Sequence, residues 1–305
     1  MTTTLPALPA VPLLRTKLFP ADAGAPTLLP RSALIERLLA AREQRLVVLS
    51  APAGFGKSTV LSLLRQHLQR QGARVAWLSC DESDSEPPRL LQYLCAAIEA
   101  AAPAFSCTSA GLVPGDVNWP VEALIDAFVA DVKRLDGDLY LMLDDFHRIR
   151  HPALGHGVRY LLKSLPDNVR LIVSTRYKPR FISAEQDAKS WAFWLLAEDL
   201  RLSREETAAY FLQHKKIERR PAALGGLQAR TGGWITALHL AALALARHPD
   251  RAAFLAGLSG TERNIADYLA EDVLGSLPAE LQLFLDQTSV LDEFCAELCN
   301  ALTGR

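Results

Sequence analysis

The chain has 305 residues, half of them hydrophobic and 22% charged, an ordinary globular composition with room for more than one core. Its 33 lysine and arginine residues nearly balance its 34 aspartate and glutamate residues, so the formal charge of −1 excludes a strongly basic surface for nucleic acid or anionic lipid. Five scattered cysteines, an N-terminus unlike a signal peptide and the lack of a long apolar run predict a cytoplasmic protein without a membrane partner.

The first predicted elements place a helix, a strand and a second helix after an arm. Residues 1–27 are rich in proline, threonine and alanine and predict an extended arm. Apolar residues at helical spacing predict a helix over 30–44, and the short run RLVVLS at 45–50 is typical of a buried parallel strand. A further helix follows over 58–72, with Gly72 placed to end it.

The middle of the chain continues this alternation. We predict a strand at 74–80, a helix at 90–102 and a surface loop at 106–118. An apolar strand within 138–149 ends in two acids, and NVRLIVSTR at 168–176 is another buried strand, with helices before each of them. Strands that alternate with helices predict an α/β fold, in which helices flank a parallel sheet.

The sheet is expected to end near residue 203. DLRLS at 199–203 is interpreted as a short last strand. Ser203 and Glu206 then have the spacing of a capping box that opens a helix. The remainder of the chain is predicted to be helical.

The stretch APAGFGKST at 51–59 has the features of a phosphate-binding loop. A strand runs into it and a helix runs out of it, the context in which a GxxxxGK[ST]-like match is informative. Inward-pointing backbone N–H groups and the positive end of the helix would hold phosphate, and Lys57 would reach the β- and γ-phosphates. The Ser58 hydroxyl would help to hold Mg²⁺. The predicted nucleotide-binding residues are Ala53, Gly54, Phe55, Gly56, Lys57, Ser58 and Thr59.

Alanine at position 51 departs from the usual pattern, which opens with glycine. Glycine is required where φ is positive or where a side chain would collide with phosphate, and Gly54 and Gly56 supply that freedom inside the turn. Ala51 is expected at the strand exit, where the chain can stay in the β region. We therefore predict that the loop is intact.

Two acids at the end of a buried strand complete the predicted site. A magnesium–nucleotide complex needs a carboxylate beside the phosphate loop, and LYLMLDD offers Asp144 and Asp145. Asp144 is predicted to organise Mg²⁺ and Asp145 to orient the attacking water. The alternative, a strand that ends in solvated acids, becomes less attractive beside a matching phosphate loop.

Two further polar residues have open interpretations. Arg176 ends the strand at 168–176 and would lie near the γ-phosphate if that strand lies between the other two. It could equally be a surface arginine. His147 could contact the phosphates, but a structural loop histidine is the preferred interpretation.

Six stretches together resemble one family. The chain is similar to the large ATP-dependent LuxR-type (MalT-like) transcription activators, which belong to the STAND class of P-loop NTPases. The TGGW segment and the C-terminal segment are more specific than the loop, which is generic to NTPases. The stretches are APAGFGKST, VAWLSCDESDSEPPRLLQYLCAAI, LMLDDFH, LIVSTR, ARTGGWITALHLAAL and DYLAEDVLGSLPAELQLFLDQTSVL.

The resemblance implies a domain plan beyond what the spacing gives. After the arm, a P-loop NTPase core would occupy residues 28–203, and an all-helical module would occupy residues 204–255. The start of a winged-helix module would occupy residues 256–305.

The resemblance also implies contacts to the base of the nucleotide. Leu29, Pro30 and Arg31 correspond to an entry segment that lies against adenine, although they could instead pack the start of a helix. In TGGWITAL, Gly233 aligns with a Gly-x-Pro that touches nucleotide in wider STAND relatives, but Ile235 stands at the proline position.

For function, the resemblance implies an ATP/ADP switch that uses Mg²⁺ and hydrolyses ATP slowly. ADP would hold a resting state, and ATP with an inducer would favour a self-associating state. Relatives reach the inducer and DNA through a helical-repeat region and a C-terminal helix-turn-helix that this chain does not show. The alternatives are a stand-alone motor or loader-type ATPase acting on a macromolecular partner, and a degenerate module that binds nucleotide without chemistry.

Overall fold

The chain divides into two compact units, Met1–Arg201 and Leu202–Arg305. None of the helices in the described part of the chain is long and apolar enough to cross a membrane. The computed structural model describes residues 13–21, 28–109, 120–179, 181–182, 192–215, 227–228, 231–247, 277–291 and 295–304.

The first unit is built on a parallel sheet of five strands: β1 Leu46–Ser50, β2 Arg74–Ser79, β3 Leu139–Asp144, β4 Val169–Thr175 and β5 Phe193–Leu196. Their order across the sheet is β2-β3-β4-β1-β5. β4 therefore lies between β3 and β1, so the ends of the three strands that carry the predicted polar residues are neighbours. In open α/β sheets, ligands bind outside these carboxyl ends, where the strand order reverses.

Helices and short 3-10 helices connect these strands. The α-helices of the first unit are α1 Ser32–Ala40, α2 Lys57–Arg70, α3 Pro87–Ala101, α4 Val121–Val132, α5 Pro152–Ser164 and α6 Ala197–Leu200. Its 3-10 helices are Arg15–Leu18, Glu82–Ser85 and Phe146–Arg148. The described helices of the second unit are α7 Arg204–Lys215, α8 Ile235–Arg247, α9 Ala279–Thr288 and α10 Ala296–Thr303.

Both faces of the sheet are buried. Leu46 and Val48 of β1 belong to a core shared with α3, α4 and α5. Val47 and Leu49 point to the other face and belong to a core shared with α1 and α2. Because both sets of side chains are buried, the central strands are continuous apolar runs. The predicted α/β fold is confirmed, and Gly72 follows the end of α2 with φ of 83°.

The predicted last strand at 199–203 is wrong. The edge strand is β5, and residues 197–200 form α6 instead. The Asp199 carboxylate accepts a hydrogen bond from the amide of Leu196 at 2.8 Å, which starts a helical turn. Leu200 and Leu202 are both buried, so their spacing of two gave the appearance of a strand.

The second unit begins with the predicted capping box. The Ser203 amide donates to the Glu206 carboxylate at 3.0 Å, and the Glu206 amide donates to the Ser203 hydroxyl at 3.1 Å. Farther along, the Tyr210 hydroxyl lies 2.6 Å from Nδ1 of His239, which links α7 to α8. The boundary predicted at 255/256 falls outside the described residues.

Part of the predicted arm is docked. Residues 15–18 form a 3-10 helix that packs against β2 and α3, with Lys17 and Leu18 buried. The expectation of a wholly extended arm is therefore wrong for this stretch. The rest of residues 1–27 is described only at 13–14 and 19–21.

A buried charge cluster holds this stretch of the arm. Nζ of Lys17 donates to Oδ2 of Asp81 at 3.0 Å and to the fully buried carboxylate of Asp84. Nζ also lies 4.3 Å from the ring centroid of Tyr93, and the guanidinium of Arg89 lies 5.4 Å from the same ring. Burial acts to lower the pKa of Lys17, but the hydrogen bonds to Asp84 and Asp81 outweigh it and raise the pKa.

We expect Lys17→Met to lower the free energy of unfolding by about 3 kcal/mol, because the fully buried Asp84 would lose its hydrogen-bonded cation and keep only the guanidinium of Arg89, whose Nε lies 3.8 Å from Oδ1. The raised pKa means that Lys17 keeps its charge and its stabilising effect at neutral pH, and loses them only as the pH rises above 10.5. Urea denaturation followed by circular dichroism measures the loss.

Lys163→Met is the matched control, since Lys163 is exposed on α5. Its expected change lies within about 0.5 kcal/mol. Equal losses in the two variants would show that the cluster contributes no more than an exposed lysine does.

Candidate nucleotide site

The loop between β1 and α2 adopts left-handed backbone only at its glycines. Gly54 has φ of 73° and Gly56 has φ of 76°, and Gly56 is the N-cap of α2. Ala51 is buried, and its amide donates to the carbonyl of Thr175 at 3.2 Å. Among the described residues, the only non-glycine with positive φ is Asp145, so the methyl group of Ala51 meets no backbone strain. The departure at position 51 leaves the loop conformation available.

Lys57 begins α2 and bends back over the loop. Its Nζ donates to the carbonyl oxygens of Ala51 at 2.8 Å and of Pro52 at 2.9 Å, and the residue is 7% exposed. Burial lowers the pKa of Lys57; Asp145 and Asp144 oppose this, and Arg176 adds to it. A buried cation beside the backbone N–H groups at the start of a helix is suited to bind an anion.

Asp144 ends β3 and is 6% exposed. Its Oδ1 accepts a hydrogen bond from the Ser174 hydroxyl, and its carboxylate also interacts with the hydroxyl of Ser58. Burial raises the pKa of Asp144, and these two hydroxyl groups act against that rise. The structure thus brings Ser58 and Asp144, predicted from stretches far apart in the sequence, into contact.

Asp145 turns away from the sheet directly after Asp144. It has φ of 54° and ψ of 37°, and its amide donates to Oγ of Ser174 at 2.9 Å. Its side chain is 39% exposed. The two neighbouring acids are therefore placed differently: one is buried against hydroxyl groups and the other is open to water.

Arg176 and His147 lie on the same edge of the sheet. Arg176 directly follows β4 and is close enough to lower the pKa of both Lys57 and His147. The His147 side chain is 6% exposed, and its Nδ1 lies 3.8 Å from Oδ1 of Asp145. Nδ1 has no hydrogen-bond partner among the described residues. Burial lowers the pKa of His147 to about 4, so the ring is neutral near pH 7.

The predicted adenine segment lies at the end of α6. Leu29 and Arg31 are buried, while Pro30 is exposed. The guanidinium of Arg31 donates to the carbonyls of Leu200 and Arg201, both at 3.1 Å. Arg31 therefore ties the entry to α1 to the last residues of the first unit. Its contact with a base stays a prediction.

Phe55, at the tip of the loop, faces the same region. The guanidinium of Arg201 lies 5.8 Å from its ring centroid. Thr59 continues α2 and is half-buried, and Ala53 is buried in the loop. These residues stay predicted nucleotide contacts.

Sequence reasoning missed Ser174. The LIVSTR stretch directed attention to its arginine, whereas the serine two positions earlier contacts both acids. The available signal was a hydroxyl residue near the end of a buried strand next to the acid-tipped strand. Its importance depends on strand order, which the sequence pattern does not give.

The donor set suits magnesium. Ser58 and Asp144 offer hydroxyl and carboxylate oxygens, the ligands that Mg²⁺ prefers. No group of three or more His, Cys, Asp or Glu side chains in the described ranges could hold a metal ion by itself. A magnesium ion here would therefore need phosphate oxygens as well, as in sites where one or two carboxylates and substrate phosphates share it.

Comparison with known proteins gives two family matches. A family model described as an AAA ATPase domain matches residues 28–174, which include the loop and both acids. A model described as the MalT winged helix domain matches residues 270–305.

Two relatives are similar along most of the chain. The chain is 30% identical over 301 residues to the serine/threonine-protein kinase PknK of Mycobacterium tuberculosis, which covers 98% of this chain and 27% of that protein. It is 30% identical over 279 residues to the HTH-type transcriptional regulator MalT of Yersinia pestis, which covers 90% of this chain and 30% of that protein. The chain thus spans less than a third of the length of either relative.

A solved structure supports the fold. The Walker-type ATPase of Pyrococcus abyssi matches with a TM-score of 0.53 at 14% identity, over 86% of this chain and 77% of that one. At this identity the likeness concerns the fold alone.

We expect Lys57→Met to weaken the binding of ADP and of ATP at least ~100-fold, because the loop loses its buried cation and the charge-assisted contacts to phosphate. Isothermal titration with each nucleotide measures the affinity. Lys163→Met, far from the loop in sequence and exposed, should leave both affinities unchanged. Unchanged affinity in Lys57→Met would remove the phosphate-loop assignment.

We expect His147 to make the protein less stable as the pH falls from 6.5 to 4. The unfolded state binds a proton near the ordinary pKa of 6.5, while the folded state resists it until about pH 4, so stability is lost over that window. A gap of about 2.5 pKa units corresponds to about 3 kcal/mol. Urea unfolding at a series of pH values, compared with His147→Asn, isolates this contribution.

His156→Asn serves as the control for this series, because the His156 side chain is 60% exposed. It should retain the dependence of the wild type on pH. Parallel curves for wild type and His147→Asn would show that His147 does not titrate in this window.

Proposed function

The chain carries an AAA ATPase domain and a MalT winged helix domain and is homologous to MalT and PknK, and we propose that it is the nucleotide-driven switch of a signal-responsive regulator. In this proposal it binds ATP and ADP with Mg²⁺ and hydrolyses ATP slowly. It would work as the ATPase part of a MalT-like regulator.

One observation carries the proposal: the phosphate loop and the acid pair converge at one edge of the sheet. The loop follows β1, the acids lie at the end of β3, and β4 lies between these two strands. Residues of β4 accept hydrogen bonds from both sides, Thr175 from the amide of Ala51 and Ser174 from the amide of Asp145. A phosphate loop without an acid partner would support nucleotide binding alone. The acids add the means to hold a metal ion and to orient water.

The role proposed for each residue follows from its charge and its exposure. Loop amides and Lys57 would bind the phosphate groups, and Arg176 would contact the terminal phosphate. Ser58 and Asp144 would hold Mg²⁺, which supplies charge neutralisation for the transferred phosphoryl group. Asp145, with its half-exposed carboxylate, accepts a hydrogen bond from the attacking water and orients it.

A switch requires different affinities for its two conformations. Shifting a population from 1:99 to 99:1 requires roughly 5.5 kcal/mol of preference. We infer that Lys57 and Arg176, both close to the acid pair, provide it by contacting ATP and ADP differently. Slow hydrolysis then returns the protein to the ADP state.

Partners enter the proposal through the relatives. One relative is named as a transcriptional regulator and the other as a protein kinase, and each is similar to this chain over less than a third of its own length. The region similar to this chain therefore occurs in proteins with different names. We propose that an inducer acts on this switch, that the ATP state self-associates, and that DNA is bound by other parts of a MalT-like regulator. A motor or loader-type ATPase is the less favoured alternative.

We expect Asp145→Asn to slow ATP hydrolysis ~100-fold while ATP binding stays near the wild-type value, because a neutral amide accepts a weaker hydrogen bond from the attacking water than a carboxylate does. Asp144→Asn should slow hydrolysis and also raise the Mg²⁺ concentration needed for tight binding. Single-turnover hydrolysis and titration of nucleotide at several Mg²⁺ concentrations separate the two effects.

Asp138→Asn is the control, since Asp138 lies just before β3, at the opposite end of that strand. It should hydrolyse ATP like the wild type. If neither acid slows turnover, the assigned roles in metal binding and water orientation are wrong. Fast turnover that a macromolecular partner stimulates would favour the motor alternative.

A further inference from the structure

Ser174 is fully buried and its hydroxyl makes two hydrogen bonds in opposite senses. Oγ accepts from the amide of Asp145 at 2.9 Å and donates to Oδ1 of Asp144. A serine hydroxyl has one donor and two acceptor positions, so this use is chemically satisfied. A single side chain thus holds both acids.

The hydroxyl acts where the backbone pairing between two strands stops. β3 and β4 are paired in parallel from Leu139 with Val169 as far as Leu143 with Val173. Past that point, the Asp145 amide bonds to the Ser174 side chain rather than to the backbone of β4. The serine hydroxyl therefore replaces the next backbone hydrogen bond between β3 and β4. The backbone of Asp145 is left-handed at this point, with φ of 54°.

The backbone of β4 at this point belongs to the phosphate loop. Ser174 pairs with Leu49 and Thr175 pairs with Ser50 in the ladder to β1. The Ala51 amide then donates to the carbonyl of Thr175. The main chain of residues 174–175 is thus fixed to the loop, and the side chain of Ser174 is fixed to the acids.

We propose that Ser174 is a positioning residue, which sets the place of the metal carboxylate of Asp144 and the orientation of Asp145 relative to the phosphate loop. The inference rests on the proposed function, because it assumes a magnesium–nucleotide complex at this edge. A partner that orients a metal ligand contributes to metal affinity without touching the metal. Alanine at 174 would leave the Asp145 amide and one Asp144 oxygen without their partner.

The test compares Ser174→Ala with Ser62→Ala. Ser62 is 1% exposed on α2 and its Oγ makes no hydrogen bond among the described residues, so the control removes a buried hydroxyl of equal size without removing a contact. The probe is Mn²⁺ in place of Mg²⁺, titrated into the ADP-bound protein and followed by electron paramagnetic resonance. ADP affinity is measured in parallel by isothermal titration without divalent metal.

We expect Ser174→Ala to raise the Mn²⁺ concentration for half-saturation ~10-fold, with ADP affinity in the absence of metal unchanged. Ser62→Ala should match the wild type in both. Ser174→Thr, which keeps the hydroxyl group, should recover most of the metal affinity. If Ser174→Ala does not fold, Ser174→Cys replaces it, since a thiol is a weak donor of similar size.

The outcomes separate this inference from the proposed function. If the wild type binds ADP and Mn²⁺ and Ser174→Ala binds both equally well, the positioning role is wrong while the nucleotide site stands. If ADP affinity without metal falls together with Mn²⁺ affinity, the hydroxyl supports the loop in general and the inference is also wrong. If the wild type binds no ADP, the proposed function itself fails.

Discussion

The pairing of β1 with β4 is the constraint on which the rest of the site depends. It runs from Leu46 to Ser50 and continues past the strand through the hydrogen bond from the Ala51 amide to Thr175. This bond fixes where the phosphate loop leaves the sheet. Since β4 is also paired with β3, the same strand fixes where the acids leave it. The positions of the loop, Lys57 and the two carboxylates relative to one another are therefore fixed by β4, although they come from stretches nearly 100 residues apart.

The charges at the carboxyl end of the sheet are shaped by burial. Burial disfavours the charge of Lys57, and the carbonyls of the loop and the two acids compensate for it. Burial likewise disfavours the charge of Asp144, and hydroxyl groups compensate for it. A site with each charge only partly compensated has a strong affinity for a ligand that carries the missing partners. A phosphate chain with a divalent cation offers negative charge to Lys57 and positive charge to Asp144.

Much of this arrangement could be predicted from the sequence, and what could not has physical causes. Apolar runs such as LVVLS and LYLMLD predict strands because both faces of such a strand are buried. The phosphate-loop pattern between a strand and a helix then predicts that the site lies at the carboxyl ends of the strands. β5 was missed because it is an edge strand with only Leu195 buried, so its pattern is weak. Ser174 and the Lys17 cluster were missed for another reason: their hydrogen-bond partners lie 29 to 67 residues away, and spacing along the chain does not report such contacts.

The left-handed conformation of Asp145 has an evolutionary consequence. Glycine adopts such a conformation without strain, so the backbone at this position would tolerate, and even gain from, loss of the side chain. An aspartate codon is one base change from a glycine codon. If Asp145 orients the attacking water as proposed, a lineage that no longer needs hydrolysis can replace it by glycine without straining the backbone. Under that proposal, an acid kept in this left-handed position reflects selection on the carboxylate rather than on backbone stability.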